Sequence, residues 1–308
     1  MTEKPVARRH HYLPQSYLAM FTDSAKKDGR FFVLDVETNT TFFTSPKNVA
    51  VEKDFNRIDV EGYPPDFIEN AFSPLEQAAA DAIATTVKEG KFPSDENYSS
   101  ILHLIGLIAV RNPFFRQSFN AAREHSARVV ADLLVSDEKI WKNYIEKARR
   151  EGEVISKDIT FQEFKEFVDS GAYDVEFHPQ GNLRVELKTF EKMLPILHER
   201  WWSLITTPPE GPEFICSDHP LTLYYKNSKS GPIGLGTRET ELFFPLTNRA
   251  GFYGTFEEPL KEVVTARPKN VAIMNSRIAF NARRQLYSRT NSFLVWKNGE
   301  IWQKELHI

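Results

Sequence analysis

Two short polar elements carry the residue types that proton transfer needs. Near the N-terminus, Arg8-Arg9-His10-His11 leads into Tyr12-Leu13-Pro14. Imidazoles titrate near neutral pH and serve as general acids, general bases or metal ligands. Neighbours on an extended segment point to opposite sides, so one of the two histidines enters any given site. The second element, Ser217-Asp218-His219-Pro220, directly follows the apolar run 214–216. That run reads as a short strand and puts Asp218 at its end, where a rigid element can carry a binding or catalytic group. Pro220 biases His219 toward an extended conformation. Each element also has a plainer reading. The first is a basic tail with one histidine packed on a surface. The second is a turn in which Asp218 accepts nearby backbone amides.

Three more residues join the candidates. Asn275 lies on the edge of an apolar helical stripe of Val271, Met274, Ile278, Ala282 and Leu286, and a buried amide must find partners. It either ties backbone groups or faces a site. Arg111 stands at the end of a helix, where a cation complements the dipole, and it is also suited to an anionic substrate. Glu76 completes a capping box with Ser73 and has a structural role on that ground alone. No phosphate-binding glycine loop, nucleophile elbow or helical zinc motif is present. The segment Gly231-Pro232-Ile233-Gly234-Leu235-Gly236 lacks a strand–turn–helix context and reads as a surface loop.

The elements that must position these groups belong to a chain of 308 residues, 41% apolar and 26% charged, which is globular composition. The net charge of −3 argues against a dedicated non-specific nucleic-acid binder, although it leaves room for a local basic groove. The one cysteine, Cys216, allows neither an internal disulfide nor a thiolate zinc site and fits a reducing compartment. Residues 1–10 carry no apolar run of the kind a secretion signal needs, and the apolar stretch 101–110 is too short to span a bilayer. The expectation is a cytoplasmic protein without membrane partners.

Runs 30–36 and 41–44 predict a hairpin. Ser73-Pro74 predicts the start of a helix that stops at Gly90. Helices are predicted over 94–111, 114–134 and 137–150, and a second capping box, Thr160 to Glu163, opens a short one. A long helix over 184–206 ending in Trp201-Trp202 is expected before the Pro208-Pro209-Glu210-Gly211-Pro212 break. Beyond it come strands at 214–216, 221–225 and 239–244, then a helix over 268–288. A final hairpin over 293–304 turns at Asn298-Gly299. The strand–helix–strand order predicts an α+β fold. In it a central helical layer accompanies antiparallel hairpins from the N- and C-terminal regions. One compact domain, 1–308, is expected, with a β-rich segment over 1–60, a helical segment over 70–206 and a β-rich segment over 212–308 carrying one long helix.

His10 through Leu18, followed by the hairpin and Ser45-Pro46-Lys47-Asn48-Val49-Ala50, resembles the start of domain-of-unknown-function family 4238. Arg111-Asn112-Pro113, Trp202, Phe214 through Pro220, Phe244-Pro245-Leu246-Thr247, Asn275 and Ala282 through Tyr287 are similar to later stretches of the same family. The family is bacterial and carries no activity to transfer. What the resemblance implies is a set of positions, Tyr287 among them. Position 219 is often Asn in such proteins, which makes His219 a poor choice for an obligatory ligand.

Taken together, these positions lead us to expect a polar-site hydrolase, nuclease-like or nucleotide-directed, with a defence or toxin role. His10 or His11 would act as acid or base, Asp218 would orient it, and Arg111 would stabilise an anionic transition state. Glu76, Ser217, Asn275 and Tyr287 would support the site. If a divalent metal binds, Asp218 with His10 or His11 would hold it. The expected partner is a small anionic ligand, a nucleotide or a nucleic acid. The alternative is a non-catalytic ligand- or protein-binding module.

Overall fold

The computed structural model describes residues 8–152, 159–177, 179–227, 229, 231–259 and 261–307. The segment 1–7, most of the stretch read as lacking a secretion signal, lies outside them. In chain order the N-terminal region contains β1 (Arg9–His11), α1 (Gln15–Ala19), β2 (Phe31–Asp35), β3 (Thr40–Thr44) and β4 (Val51–Lys53). The helices α2 (Phe67–Glu89), α3 (Asp95–Val110), α4 (Pro113–Ser136), α5 (Glu138–Arg150), α6 (Phe161–Ser170) and α7 (Pro179–His198) follow. The rest comprises β5 (Trp201–Thr206), β6 (Cys216–Ser217), β7 (Thr222–Tyr225), β8 (Thr240–Pro245), β9 (Ala250–Thr255), β10 (Val263–Thr265), α8 (Pro268–Asn281), β11 (Gln285–Ser288), β12 (Ser292–Lys297) and β13 (Glu300–Glu305). No helix among the described residues is long and apolar enough to cross a membrane.

The fold is α+β. Where the sequence suggests one compact domain, the chain groups into two units. One comprises 1–113 with 179–308, and the other 114–178. In the second unit, Asp137 opens α5 by accepting the Lys139 amide, and Thr160 and Glu163 form the capping box that opens α6. All the candidate site residues belong to the first unit.

In that first unit the N-terminal hairpin and the C-terminal strands share one sheet, ordered β3-β2-β11-β6 and antiparallel throughout. A second sheet, β10-β5-β9-β8-β7, is antiparallel except for the β10–β5 pair. The strands β1 and β4 form a separate ribbon, and β12–β13 a hairpin whose turn residues Asn298 and Gly299 both take positive φ. The core is aromatic: Phe31, Phe244, Phe252 and Tyr287 are buried with Leu13, Leu18, Ile101, Ile105 and Leu204. A second apolar cluster forms around Phe214, Ile215, Val271 and Ile278.

Four boundaries differ from the sequence reading. The helix expected to start at Ser73 begins at Phe67, so Pro74 lies inside α2 and Ser73 caps nothing. The long helix expected over 184–206 ends at His198, and Trp201-Trp202 opens β5 instead. Trp202 is buried opposite Gly254, where an added Cβ would lie 3.0 Å from the indole carbons. The strand therefore depends on a tertiary partner that a local pattern cannot show. The expected 214–216 strand is reduced to Cys216–Ser217. The helix predicted over 268–288 stops at Asn281, and Gln285–Ser288 becomes a central strand.

Asn275, fully buried, fastens these regions together. Its Oδ1 accepts the Ile215 amide at 3.1 Å, and its Nδ2 donates to the Glu213 and Leu294 carbonyls at 2.9 and 3.1 Å. All three partners are backbone groups, which is the tying role of the two readings above. Asn275→Ala leaves three backbone groups unpaired and should destabilise the chain by about 3 kcal/mol or more. Urea unfolding checks this. A midpoint close to that of the wild type would remove Asn275 from the list of structural ties.

Candidate functional site

The β1 strand alternates as its pleat requires. Arg9 is exposed, His10 is buried and His11 is half-buried on the other side. His10 Nδ1 accepts the Asn56 amide at 2.8 Å. The Asn56 side-chain amide donates to Glu69 Oε1. Glu69 lies 3.8 Å from Arg111 Nη2, and Arg111 Nη1 donates to Glu76 Oε1 at 3.0 Å. The guanidinium also lies 4.4 Å above the Phe72 ring. Glu69, Phe72 and Glu76 stand on one face of α2, since seven residues make almost two full turns. Arg111 is only 2% exposed, so both carboxylates meet a desolvated cation.

His11 sits beside this network. Burial, the largest influence, pushes its pKa below the ordinary value of 6.5, and Arg9 adds to the effect. The carbonyls of Lys47 and Pro46 and the charge of Glu69 pull the other way. The Gln15 side-chain amide lies 3.4 Å from Nδ1, while Nε2 is buried with no hydrogen-bond partner. Asn56 Oδ1 and Arg111 Nε are likewise buried and unpaired. Five such side-chain atoms occur among the described residues, and three of them fall in this one cluster. Burial also pushes the Glu76 carboxyl above its ordinary 4.5, against the opposing pull of Arg111.

Asp218 belongs to a second, adjoining arrangement. Its Oδ1 accepts the Arg283 amide at 3.0 Å and its Oδ2 the Arg284 amide at 2.7 Å. Its own amide donates to the Gln285 carbonyl. Burial raises its pKa and these amides lower it. The carboxylate thus takes these hydrogen bonds from backbone amides. Ser217, fully buried, accepts the His219 amide at 3.2 Å. Tyr287 is buried beside it and donates to Gln285 Oε1 at 3.1 Å. Tyr12 and Tyr287 have phenol pKa values raised first by burial and also by the charge of Asp218.

The bridge between the halves is Arg111-Asn112. While Arg111 reaches Glu69 and Glu76, the Asn112 side-chain amide donates to the Asp218 carbonyl oxygen at 3.0 Å. His10, Arg111, Glu76, Ser217, Asp218 and Tyr287 thus fall along one connected set of contacts, His11 stands beside it, and Asn275 serves elsewhere. Sequence reasoning missed Asn56 and Glu69. Glu69 stands seven residues before Glu76, a spacing that flags it once α2 is known to start at Phe67. Asn56 lies between elements and carries no such pattern. Among the described residues no group of three or more His, Cys, Asp or Glu side chains is placed to hold a metal ion.

Two groups here titrate with opposite effects on stability. Because the folded-state pKa of His11 is depressed, its contribution is complete above pH 6.5 and is lost as pH falls through the folded value. Glu76 has a raised folded-state pKa, so its contribution is complete below pH 4.5 and is lost as pH rises through the folded value. His11→Asn should therefore flatten the stability profile just below pH 6.5, and Glu76→Gln should flatten it just above pH 4.5. Urea midpoints measured at pH steps across both ranges check the signs.

The family described as "Protein of unknown function (DUF4238)" matches residues 9–292, from the strand that carries His10 to the start of the last hairpin. No curated protein and no solved structure matches the chain. The match covers the histidine pair, the Arg111-Asn112 bridge and the Asp218 turn alike, and the chain belongs to the DUF4238 family.

Proposed function

We propose that this chain is a hydrolase of phosphodiester or nucleotide substrates, acting through the cluster on β1 and α2. The observation that carries the reading is the set of three unpaired buried atoms, His11 Nε2, Asn56 Oδ1 and Arg111 Nε. Buried polar atoms are nearly always satisfied, so three orphans in one network point to groups that a substrate completes. With the Gln15 amide at Nδ1, the neutral imidazole carries its proton on Nε2 and is suited to donate a hydrogen bond to a substrate oxygen. A carboxylate with a raised pKa is suited to take the proton of an attacking water and return it to the leaving oxygen. His11 takes the first role and Glu76 the second. Arg111 positions Glu69 and Glu76, and the turn built on Asp218 fixes Asn112 beside it.

Cations are interleaved with the carboxylates around this cluster despite the net charge of −3, and an anionic group can be met there. Arg9 acts electrostatically on His11, Lys27 on Glu76, and Lys53 and Arg57 on Asp54 two residues before Asn56. One observation favours recognition without turnover. The Arg111 guanidinium is already matched by two carboxylates and is not a free cation for a developing oxyanion.

Purified protein should hydrolyse bis(4-nitrophenyl) phosphate or a nucleotide panel, and His11→Ala should lower the rate about 100-fold or more in a variant that still folds. Retention of the full rate by a folded His11→Ala variant would overturn the assignment. Nucleotide-induced stabilisation without turnover, lost in the same variant, would select the binding module.

A further inference from the structure

A cleft of about 560 Å³ lies apart from the histidine cluster, lined by residues of β5, β8, β9, β10 and α8. Its walls are apolar, with Ile205, Val264, Ile273 and Met274 among them. One of its polar residues, Arg277, is held in a fixed arrangement. Arg277 Nη1 donates to Glu241 Oε2 at 2.8 Å. Its guanidinium carbon lies 4.7 Å above the Tyr224 ring, and the Tyr224 hydroxyl donates to the Arg277 carbonyl at 3.0 Å. The guanidinium is thus held from two sides, which removes much of the rotamer entropy a ligand would otherwise have to freeze. Burial, with Glu241 as its hydrogen-bond partner, raises the Tyr253 phenol, whose one O–H is directed at that carboxylate.

The charge balance in the cleft is positive. Arg277 and Lys261 contribute two cations against the one carboxylate of Glu241. Only Nη1 of the guanidinium is hydrogen-bonded among the described residues, and the Lys261 ammonium forms no ion pair there. A guanidinium keeps five N–H donors in a planar fork that matches a carboxylate. The volume falls within the range of about 300–1,000 Å³ typical of small-molecule sites.

The geometry points to a binding site for a small monocarboxylate with an apolar body, its carboxylate on Arg277 and its tail along Ile205, Val264 and Met274. A simple aliphatic amine lacks the charge for this site, and the matching alcohol lacks a second oxygen for the fork.

Titration calorimetry on the full chain with octanoate, octylamine and octanol tests the inference. Octanoate should bind at least tenfold more tightly than the other two and should raise the melting temperature. Arg277→Gln should weaken octanoate about tenfold or more, the size expected for losing a hydrogen bond to a charged group. Val264→Trp, on the exposed edge strand, fills the mouth and should abolish binding in a folded protein, even if the Arg277 variant unfolds. Equal affinity for octanol or octylamine, no octanoate binding by the wild type, or full octanoate affinity in Val264→Trp would each overturn it. Failure here leaves the reading of the His11 cluster untouched, because the two share no residue.

Discussion

A guanidinium taken out of water must be paired, and the burial of Arg111 sets this requirement for the first half of the site. Leaving such a charge without its partner costs about 3–5 kcal/mol. Two carboxylates meet it, Glu69 and Glu76, and they can do so together only if α2 is already helical at Glu69. That requirement explains the helix passing through Pro74. A proline at an interior position removes one backbone hydrogen bond and crowds the carbonyl four residues back, at a cost of about 3 kcal/mol. The cost is offset by burial of Ile68, by the Phe72 ring beneath the guanidinium and by the two carboxylates, none of which would be in place if the helix began at Ser73. The proline that marks a helix start in local sequence is here overruled by a charge on a different helix, distant in the chain.

Asp218 solves the opposite problem with different means. It is a buried anion, and in place of a cation it takes two backbone amides from the turn between α8 and β11. Those amides would otherwise donate along a continuing helix. By accepting them, the carboxylate stabilises the break after Asn281 and frees the chain to enter the sheet at Gln285. Arg284 turns outward to Asp35 at 3.2 Å, on the strand that β11 joins. The same carboxylate thus ends a helix and sets the register of a central strand.

What is legible in the sequence follows this division. The β2–β3 and β12–β13 hairpins, the starts of α3 and α5 and the capping box of α6 all rest on interactions within a few residues, and all can be read locally. The end of α7, the strand nature of Trp201–Thr206 and the end of α8 rest on contacts with Gly254 and Asp218 across the fold. At each of these places the sequence reading carries the helix too far. In the site, His10, His11, Arg111 and Asp218 stand out by type and by family resemblance. Glu69 is hidden because a helix start placed at Ser73 leaves it in an apparent loop. Asn56 has no periodicity, and only the folded chain shows it between a histidine and a carboxylate.

The two halves of the site are not independent, because three consecutive residues serve both. Pro113 disfavours the helical conformation at Asn112, and Arg111, just past the end of α3, has left it with φ −85° and ψ 61°. That backbone lets adjacent side chains leave in different directions, Arg111 toward α2 and Asn112 toward Asp218. A helix continuing through these positions would place them only about 100° apart around one axis. The Arg111-Asn112-Pro113 element is therefore the point at which the position of the carboxylate pair on α2 is fixed relative to the Asp218 turn. A shift at the end of α3 moves both together. Rigid coupling of this kind would hold the groups of the proposed site to the small tolerances that acid–base chemistry requires. It also means that the contributions of Arg111 and Asn112 to the site are not additive, since each supports the geometry the other needs.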